Sequence, residues 1–213
     1  MSGQVYFITG IDTGIGKTYA TGYLAQQYLA QGQTVITQKL IQTGNIDISE
    51  DIEQHREMMG TGLLAEDHAK LTMPEIFSYP ASPHLAAKLD GRDIDFAKIE
   101  QATAQLSATF DMVLLEGAGG LMVPLTEDVL IIDYLQQQNF PIILVASGRL
   151  GSINHTLLSL EAIKTRGLHL HSLAYNLNDE SKDPLISKDT QHYLQNYLAQ
   201  NFPKAAWIEI PAL

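Results

Sequence analysis

The chain has 213 residues, a length that suits one domain with a sizeable core. Its 24 acidic residues against 13 basic ones give a formal charge of −11, which argues against a general electrostatic grip on nucleic acid or on an anionic membrane. There is no cysteine, which removes disulfides, thiolate metal sites and a cysteine nucleophile together.

Residues 5–9 read as a first strand. Residues 17–31 read as a helix in which Tyr19, Tyr23, Gln26 and Ala30 recur on helical spacing, with Gly32 ending it. A second strand is expected at 34–39, and Ser49 is placed to cap a helix over 50–59. The span 61–83 is the least regular and reads as a long connection with short helical pieces. Continuous apolar runs at 112–115 and 142–146 suit strands covered on both faces. A helix follows over 154–166 and stops at Gly167. Then come a strand at 171–176, a helix around 187–200 and a strand at 206–210. Repeated strand–helix–strand units predict an α/β fold: a single domain over 1–213 with a mostly parallel central sheet and helices on both faces. The N-terminus has no basic segment leading a long apolar one, and no apolar run is long enough to span a bilayer, so a cytoplasmic enzyme is expected.

In such sheets ligands gather at the carboxyl ends of the strands. The first of these ends carries Gly10-Ile11-Asp12-Thr13-Gly14-Ile15-Gly16-Lys17-Thr18. A glycine-rich turn that closes on Gly-Lys-Thr and opens a helix binds phosphate for physical reasons. Backbone N–H groups wrap the phosphates, the lysine reaches the β- and γ-phosphates, the threonine hydroxyl ligates Mg²⁺, and the helix start adds its positive end. Five residues separate Gly10 from Gly16, where the usual pattern has four. A dinucleotide fingerprint fits worse, since it requires neither Lys17 nor Thr18. The chain reads as an ATP or GTP user, with Gly14, Ile15, Gly16, Lys17, Thr18 and Tyr19 around the nucleotide.

Two other strand ends face the same edge. The strand from Asp111 ends in Glu116 and a glycine-rich turn, Gly117-Ala118-Gly119-Gly120. A carboxylate there can hold Mg²⁺ directly or through water, and the glycines let backbone approach a ligand closely. The plainer alternative is an acidic turn residue beside glycines that only bend the chain. Lys39 ends the second strand, in Lys39-Leu40-Ile41-Gln42-Thr43-Gly44. A lysine can meet a transferring phosphoryl group or a carboxylate-like substrate, although lone strand-end lysines are commonly solvated.

Taken together these segments resemble the dethiobiotin synthetase family. The resemblance runs from the loop with its five-residue gap through Lys39 with Thr43-Gly44, Ser49-Glu50-Asp51, Ser82-Pro83-His84 and Gly91-Arg92. It continues in Glu116-Gly117-Ala118-Gly119-Gly120 and in Leu150-Gly151-Ser152-Ile153-Asn154-His155. It implies a homodimer that uses ATP and Mg²⁺ to close a ureido ring on 7,8-diaminopelargonic acid with CO₂ or bicarbonate as carbon source. One amine captures CO₂ as a carbamate, ATP phosphorylates it, and the second amine closes the ring and expels phosphate. No nucleic acid and no membrane take part.

By the same resemblance Lys39, Lys17 and Thr13 are catalytic, and Thr18, Asp51 and Glu116 hold the metal. Asp51 lies at a helix start, where an acid also arises simply as a cap-region residue. Thr43 binds substrate, and Leu150, Gly151, Ile153 and Asn154 meet the substrate's remote carboxylate across the dimer interface. Asn154 would cap the helix that follows, whose first amides suit an anion; a cap without a ligand is the alternative. Gly117, Ala118 and Gly119 join the nucleotide-side set, Asn176 resembles the adenine-reading residue, and Pro211 with Ala212 resembles a second adenine-side segment. Two departures stand out. Leu40 takes a place where the family often has proline, and the sequence stops at Leu213 where many relatives continue with a helix near the base, so relaxed use of other nucleoside triphosphates is one expectation. The rival readings are an ATP-driven positioning switch and a non-enzymatic nucleotide-binding scaffold. The first counts against itself, because such switches carry a further lysine where Ile11 and Asp12 stand here.

Overall fold

The computed structural model describes residues 2–179 and 183–212; Leu213, and with it the end of the sequence, lies outside the described residues. In chain order the elements are β1 (Gln4–Gly10), α1 (Lys17–Ala30), β2 (Val35–Lys39), β3 (Gln42–Thr43), α2 (Glu50–Met59), α3 (Ala65–His68), β4 (Ile76–Phe77) and α4 (Pro83–Leu89). They continue with α5 (Phe96–Thr109), β5 (Met112–Gly120), α6 (Ile131–Gln138), β6 (Ile142–Ser147), α7 (Ser152–Thr165), β7 (Leu170–Asn176), α8 (Pro184–Asn201) and β8 (Ala206–Ile210).

The main sheet has six strands in the order β2-β5-β1-β6-β7-β8, and every neighbouring pair is parallel. β2 and β6 are buried at every position, which requires cover on both faces. The connection from β1 to β2 runs toward one edge of the sheet, and those from β6 and β7 run toward the other. Right-handed crossovers in opposite directions place α1 and the α7–α8 pair on opposite faces. The direction reverses at β1, and a crevice for ligands forms where it does. A separate two-stranded parallel sheet, β3 with β4, flanks that crevice. No helix among the described residues is long and apolar enough to cross a membrane.

The strands read from the sequence all form, within a residue or two at their ends except at the end of β5. Helices α4, α5 and α6 lie where the pattern reading assigned nothing. α5 nonetheless carries a regular apolar stripe, with Ile99, Ala102 and Leu106 buried on one side, and α4 starts on Pro83, a favoured first helical residue. Two expectations need correction. β5 does not stop at Glu116 but runs on to Gly120. Ile8 pairs with Glu116 and Gly10 with Gly120, so a bulge of small residues follows the carboxylate instead of a free turn. α7 begins at Ser152 and not at Asn154, because Gly151 takes the N-cap position in a left-handed conformation with φ 94° and no side chain caps the helix.

Candidate active site

The phosphate loop leaves β1 and closes on α1 at Gly16. That glycine has φ 93°, and a Cβ on it would lie 2.3 Å from Asn176 Nδ2, so both backbone and neighbour demand glycine. Asn176 ends β7 behind the loop. Its Nδ2 donates to the Ile15 carbonyl at 2.9 Å, and its Oδ1 accepts from the Asn178 N–H at 3.0 Å. The Ile15 side chain is fully buried, so this residue can serve a ligand through its backbone only. Arg149, after β6, donates from Nη2 to Asp12 Oδ2 at 2.7 Å and braces the loop from the far side.

Lys17 is the first residue of α1, and its Nζ donates to the Asp12 carbonyl at 3.1 Å. Burial pushes its pKa down to about 8, with Lys39 adding to the shift and Glu116 and Asp51 opposing it. Thr18 Oγ1 donates to Asp51 Oδ1 at 2.8 Å and lies 3.2 Å from Glu116 Oε1. Asp51 sits in the first turn of α2, which Ser49 caps by accepting the Ile52 N–H at 3.3 Å.

Lys39 and Glu116 are register partners across β2 and β5. Lys39 Nζ ion-pairs with Asp51 Oδ2, meets Glu116 Oε1 at 2.8 Å and reaches the Gly117 carbonyl at 3.3 Å. Burial would lower the Lys39 pKa, but the two carboxylates override it and hold the ammonium above its ordinary value. Burial would likewise raise Glu116. The charge of Lys39 and a hydrogen bond from His55 instead hold its carboxyl far below the usual range. The Leu40 N–H donates to the Glu116 carbonyl at 2.8 Å, a bond that proline in the same place cannot make.

Thr18, Asp51 and Glu116 offer oxygen donors only, two carboxylates and a hydroxyl within reach of one another. That set fits Mg²⁺, which takes one or two protein carboxylates and completes its shell with water and substrate phosphates. Among the described residues no three His, Cys, Asp or Glu side chains gather to hold a metal by themselves.

A cavity of about 650 Å³ opens beside these groups. Lys17, Thr18, Lys39, Asp51 and Glu116 line one wall, and Thr13, Gly14, Tyr19, Ala118 and Gly119 border it. Thr43, at the end of β3, also lines it, as does the 80–83 segment. Gly117 lies behind the wall, where a Cβ would strike the Phe7 ring at 2.8 Å. Other expected residues fall elsewhere. Leu150, Gly151 and Ile153 line a second hollow with Leu185 and Ile186, and Leu150 is 88% exposed and Leu185 78%. Asn154 is the third residue of α7, and Pro211 and Ala212 trail β8; none of the three borders either hollow.

The sequence reading passed over His55, Arg56, Thr37 and Asp67, which form a buried network behind Glu116. One signal was available for His55. It follows Asp51 by four residues on a helix, so the two share a face.

Residues 4–199 match the family described as an AAA domain. A protein of Pasteurella multocida named ATP-dependent dethiobiotin synthetase BioD 2 is 53% identical over 200 residues, covering 94% of this chain and 93% of that one. One of the same name from Haemophilus influenzae is 55% identical over 186 residues, covering 87% and 97%. One from Chlorobaculum tepidum, named ATP-dependent dethiobiotin synthetase BioD, is 49% identical over 194 residues, covering 91% and 81%. Among solved structures, chloroplast FtsY from Physcomitrella patens superposes with a TM-score of 0.55 at 15% identity, over 97% of this chain and 57% of that one. FtsY from Thermotoga maritima gives 0.54 at 16% identity, over 95% and 60%. The chain thus spans less than two thirds of these two proteins, and at such identity they speak for the fold alone. At about half its residues shared with the first three, over most of each sequence, the chain belongs to the dethiobiotin synthetase family.

Proposed function

We propose that this protein is an ATP-dependent dethiobiotin synthetase acting on 7,8-diaminopelargonic acid, CO₂ and ATP, with dethiobiotin, ADP and phosphate as products. The observation that carries the reading, beside family membership, is the wall on which Lys17, Thr18, Lys39, Asp51 and Glu116 face one cavity. Two anions must meet there, a carbamate and a γ-phosphate, and their repulsion is the main obstacle to reaction.

The roles follow from charge and position. Backbone N–H groups from Gly14 to Thr18 cradle the β-phosphate, and Lys17 meets the γ-phosphate. Thr18, Asp51 and Glu116 would hold Mg²⁺, which would supply positive charge against the phosphate groups. Lys39 stands next to that set and stabilises the charge that builds as a carbamate oxygen attacks the γ-phosphorus and the bond to ADP breaks. Thr13 and Thr43, on the cavity rim, hold the carbamate and the diamine. The second amine then attacks the carbamoyl carbon, phosphate leaves, and the ring closes. Both amines sit on one short carbon chain, so this step is intramolecular and loses little entropy. No covalent enzyme intermediate is required, in keeping with a chain that lacks cysteine.

The remaining parts of the reading are a homodimer, adenine contact and location. Leu150 and Leu185, both exposed on one hollow, leave an apolar surface that suits a second copy. Leu150, Gly151, Ile153 and Asn154 would then meet the tail carboxylate of substrate bound to the partner. Asn176 retains one N–H and one lone pair beyond its two bonds, enough for an adenine edge, with Pro211 and Ala212 alongside. One nucleotide-binding domain over 1–213 is supported by a sheet whose strands run from Gln4 to Ile210. A cytoplasmic site of action fits an enzyme that draws on ATP.

The test is ADP release measured with each substrate left out in turn. Release that requires diamine and bicarbonate together supports the synthetase. Equal release without the diamine favours an ATPase switch, and nucleotide binding with no turnover favours a scaffold.

A further inference from the structure

Glu116 is one end of a buried polar chain that the reaction above leaves unused. Glu116 Oε2 lies 3.0 Å from His55 Nε2, and His55 Nδ1 lies 3.1 Å from Thr37 Oγ1. Arg56 Nη1 donates to the same Thr37 oxygen at 2.8 Å, while Arg56 Nε and Nη2 each donate to an Asp67 oxygen at 2.8 Å. Asp67 also accepts from Thr72 Oγ1 at 2.6 Å and from the Leu64 N–H at 2.7 Å. Thr37, His55, Arg56, Asp67 and Glu116 are all buried, and their polar atoms bond to one another.

Counting donors fixes the direction of two links in the chain. Arginine can only donate, so Thr37 Oγ1 accepts from it. That oxygen also meets His55 Nδ1, giving its hydroxyl hydrogen or accepting on its second lone pair. A carboxylate can only accept, so His55 Nε2 carries a proton aimed at Glu116. Glu116 is tied at both oxygens: Oε2 to His55, and Oε1 toward Thr18 and Lys39.

We propose that His55 is a positioning residue that locks the Glu116 carboxylate with Oε1 turned to the metal and phosphate side. A strand fixes the Cα of Glu116, but the glutamate side chain keeps three rotatable bonds that something else must restrain. Thr37 and Arg56 act one step further back by holding the imidazole in place through Nδ1. This inference rests on the reading of Glu116 as a metal-side carboxylate.

The experiment measures Mn²⁺ binding with ADP present, by electron paramagnetic resonance, and ADP binding in EDTA. His55→Leu should weaken Mn²⁺ binding by about 10–100-fold, with ADP affinity in EDTA unaltered. His55→Gln sets an amide nitrogen near the place of Nε2 and should recover most of the loss, whereas His55→Asn sets its amide near Nδ1 and should not. A folded His55→Leu protein that binds Mn²⁺ like the parent overturns the proposal. If His55→Leu does not fold, the amide pair decides, and equal Mn²⁺ binding by Gln and Asn variants overturns it. Glu116→Gln separates the two layers. If it keeps full Mn²⁺ affinity, the metal-side reading itself fails. If it loses Mn²⁺ while His55→Leu keeps it, only the role of His55 falls.

Discussion

The wall around Glu116 and the hollow beside Leu150 are opposites. In the first, the charges are held within the chain: Lys39 with Asp51 and Glu116, Glu116 with His55, Arg56 with Asp67, and Lys17 on the Asp12 carbonyl. In the second, large apolar side chains stand in solvent, Leu150 at 88% and Leu185 at 78% exposed. The chemistry of phosphate transfer needs charges held still before substrate arrives, and a buried, fully bonded wall does that. Under the proposed homodimer, a substrate tail at the subunit boundary would need a surface completed by a second chain. The one region is finished in a single copy, and the other would be finished by two.

The largest blow to this contrast is to leave one buried charge alone. Arg56→Met strips Asp67 of its guanidinium and should cost roughly 3–5 kcal/mol of stability, read from urea unfolding. A loss under about 1 kcal/mol would mean that the network is solvated in solution and not the closed wall described. Lys39→Ala, at the wall's face, should lower turnover by roughly 10²–10³-fold with ADP affinity little changed. A matched fall in both would make it a binding residue instead.

At the hollow, Leu150→Glu should shift a dimer toward monomer in sedimentation velocity and weaken diamine binding by about tenfold or more, while ADP binding holds. Unchanged association would leave that surface without the role given to it. The smallest effect concerns acid. Burial alone would raise the pKa of Asp67, but bonds from Arg56 and Thr72 and the Leu64 amide outweigh it and lower the value. A lowered folded-state pKa contributes stability above the unfolded value of about 4. That stability is lost as pH falls through the lower folded value. Thermal midpoints compared between pH 5 and pH 3 should therefore drop less in Asp67→Asn than in the parent, and equal drops would remove Asp67 from the acid response.

How much was readable in advance varied with the distance between partners along the chain. The phosphate loop was legible because its parts are contiguous, and Gly16 was required by a turn that any such loop makes. The strands were legible because burial on both faces writes itself as continuous apolar runs. Asn154 was misjudged as a cap because the true cap, Gly151, acts through a backbone angle and not through a side chain. The end of β5 was misjudged because glycines usually mark turns, and here they form a bulge against β1.

Sequence alone determined the phosphate loop, the alternation of strands and helices, and the residue types a nucleotide and a hard metal require. Each follows from neighbours a few positions apart. Tertiary structure decided that Lys39 pairs in register with Glu116 and that Asp51 swings in beside them. It also decided that His55 and Arg56, one after the other on α2, meet Glu116 and Asp67 behind the wall. Those contacts join residues 11 to 77 positions apart, and only the packing of α1 and α2 on the parallel sheet brings them within hydrogen-bond range.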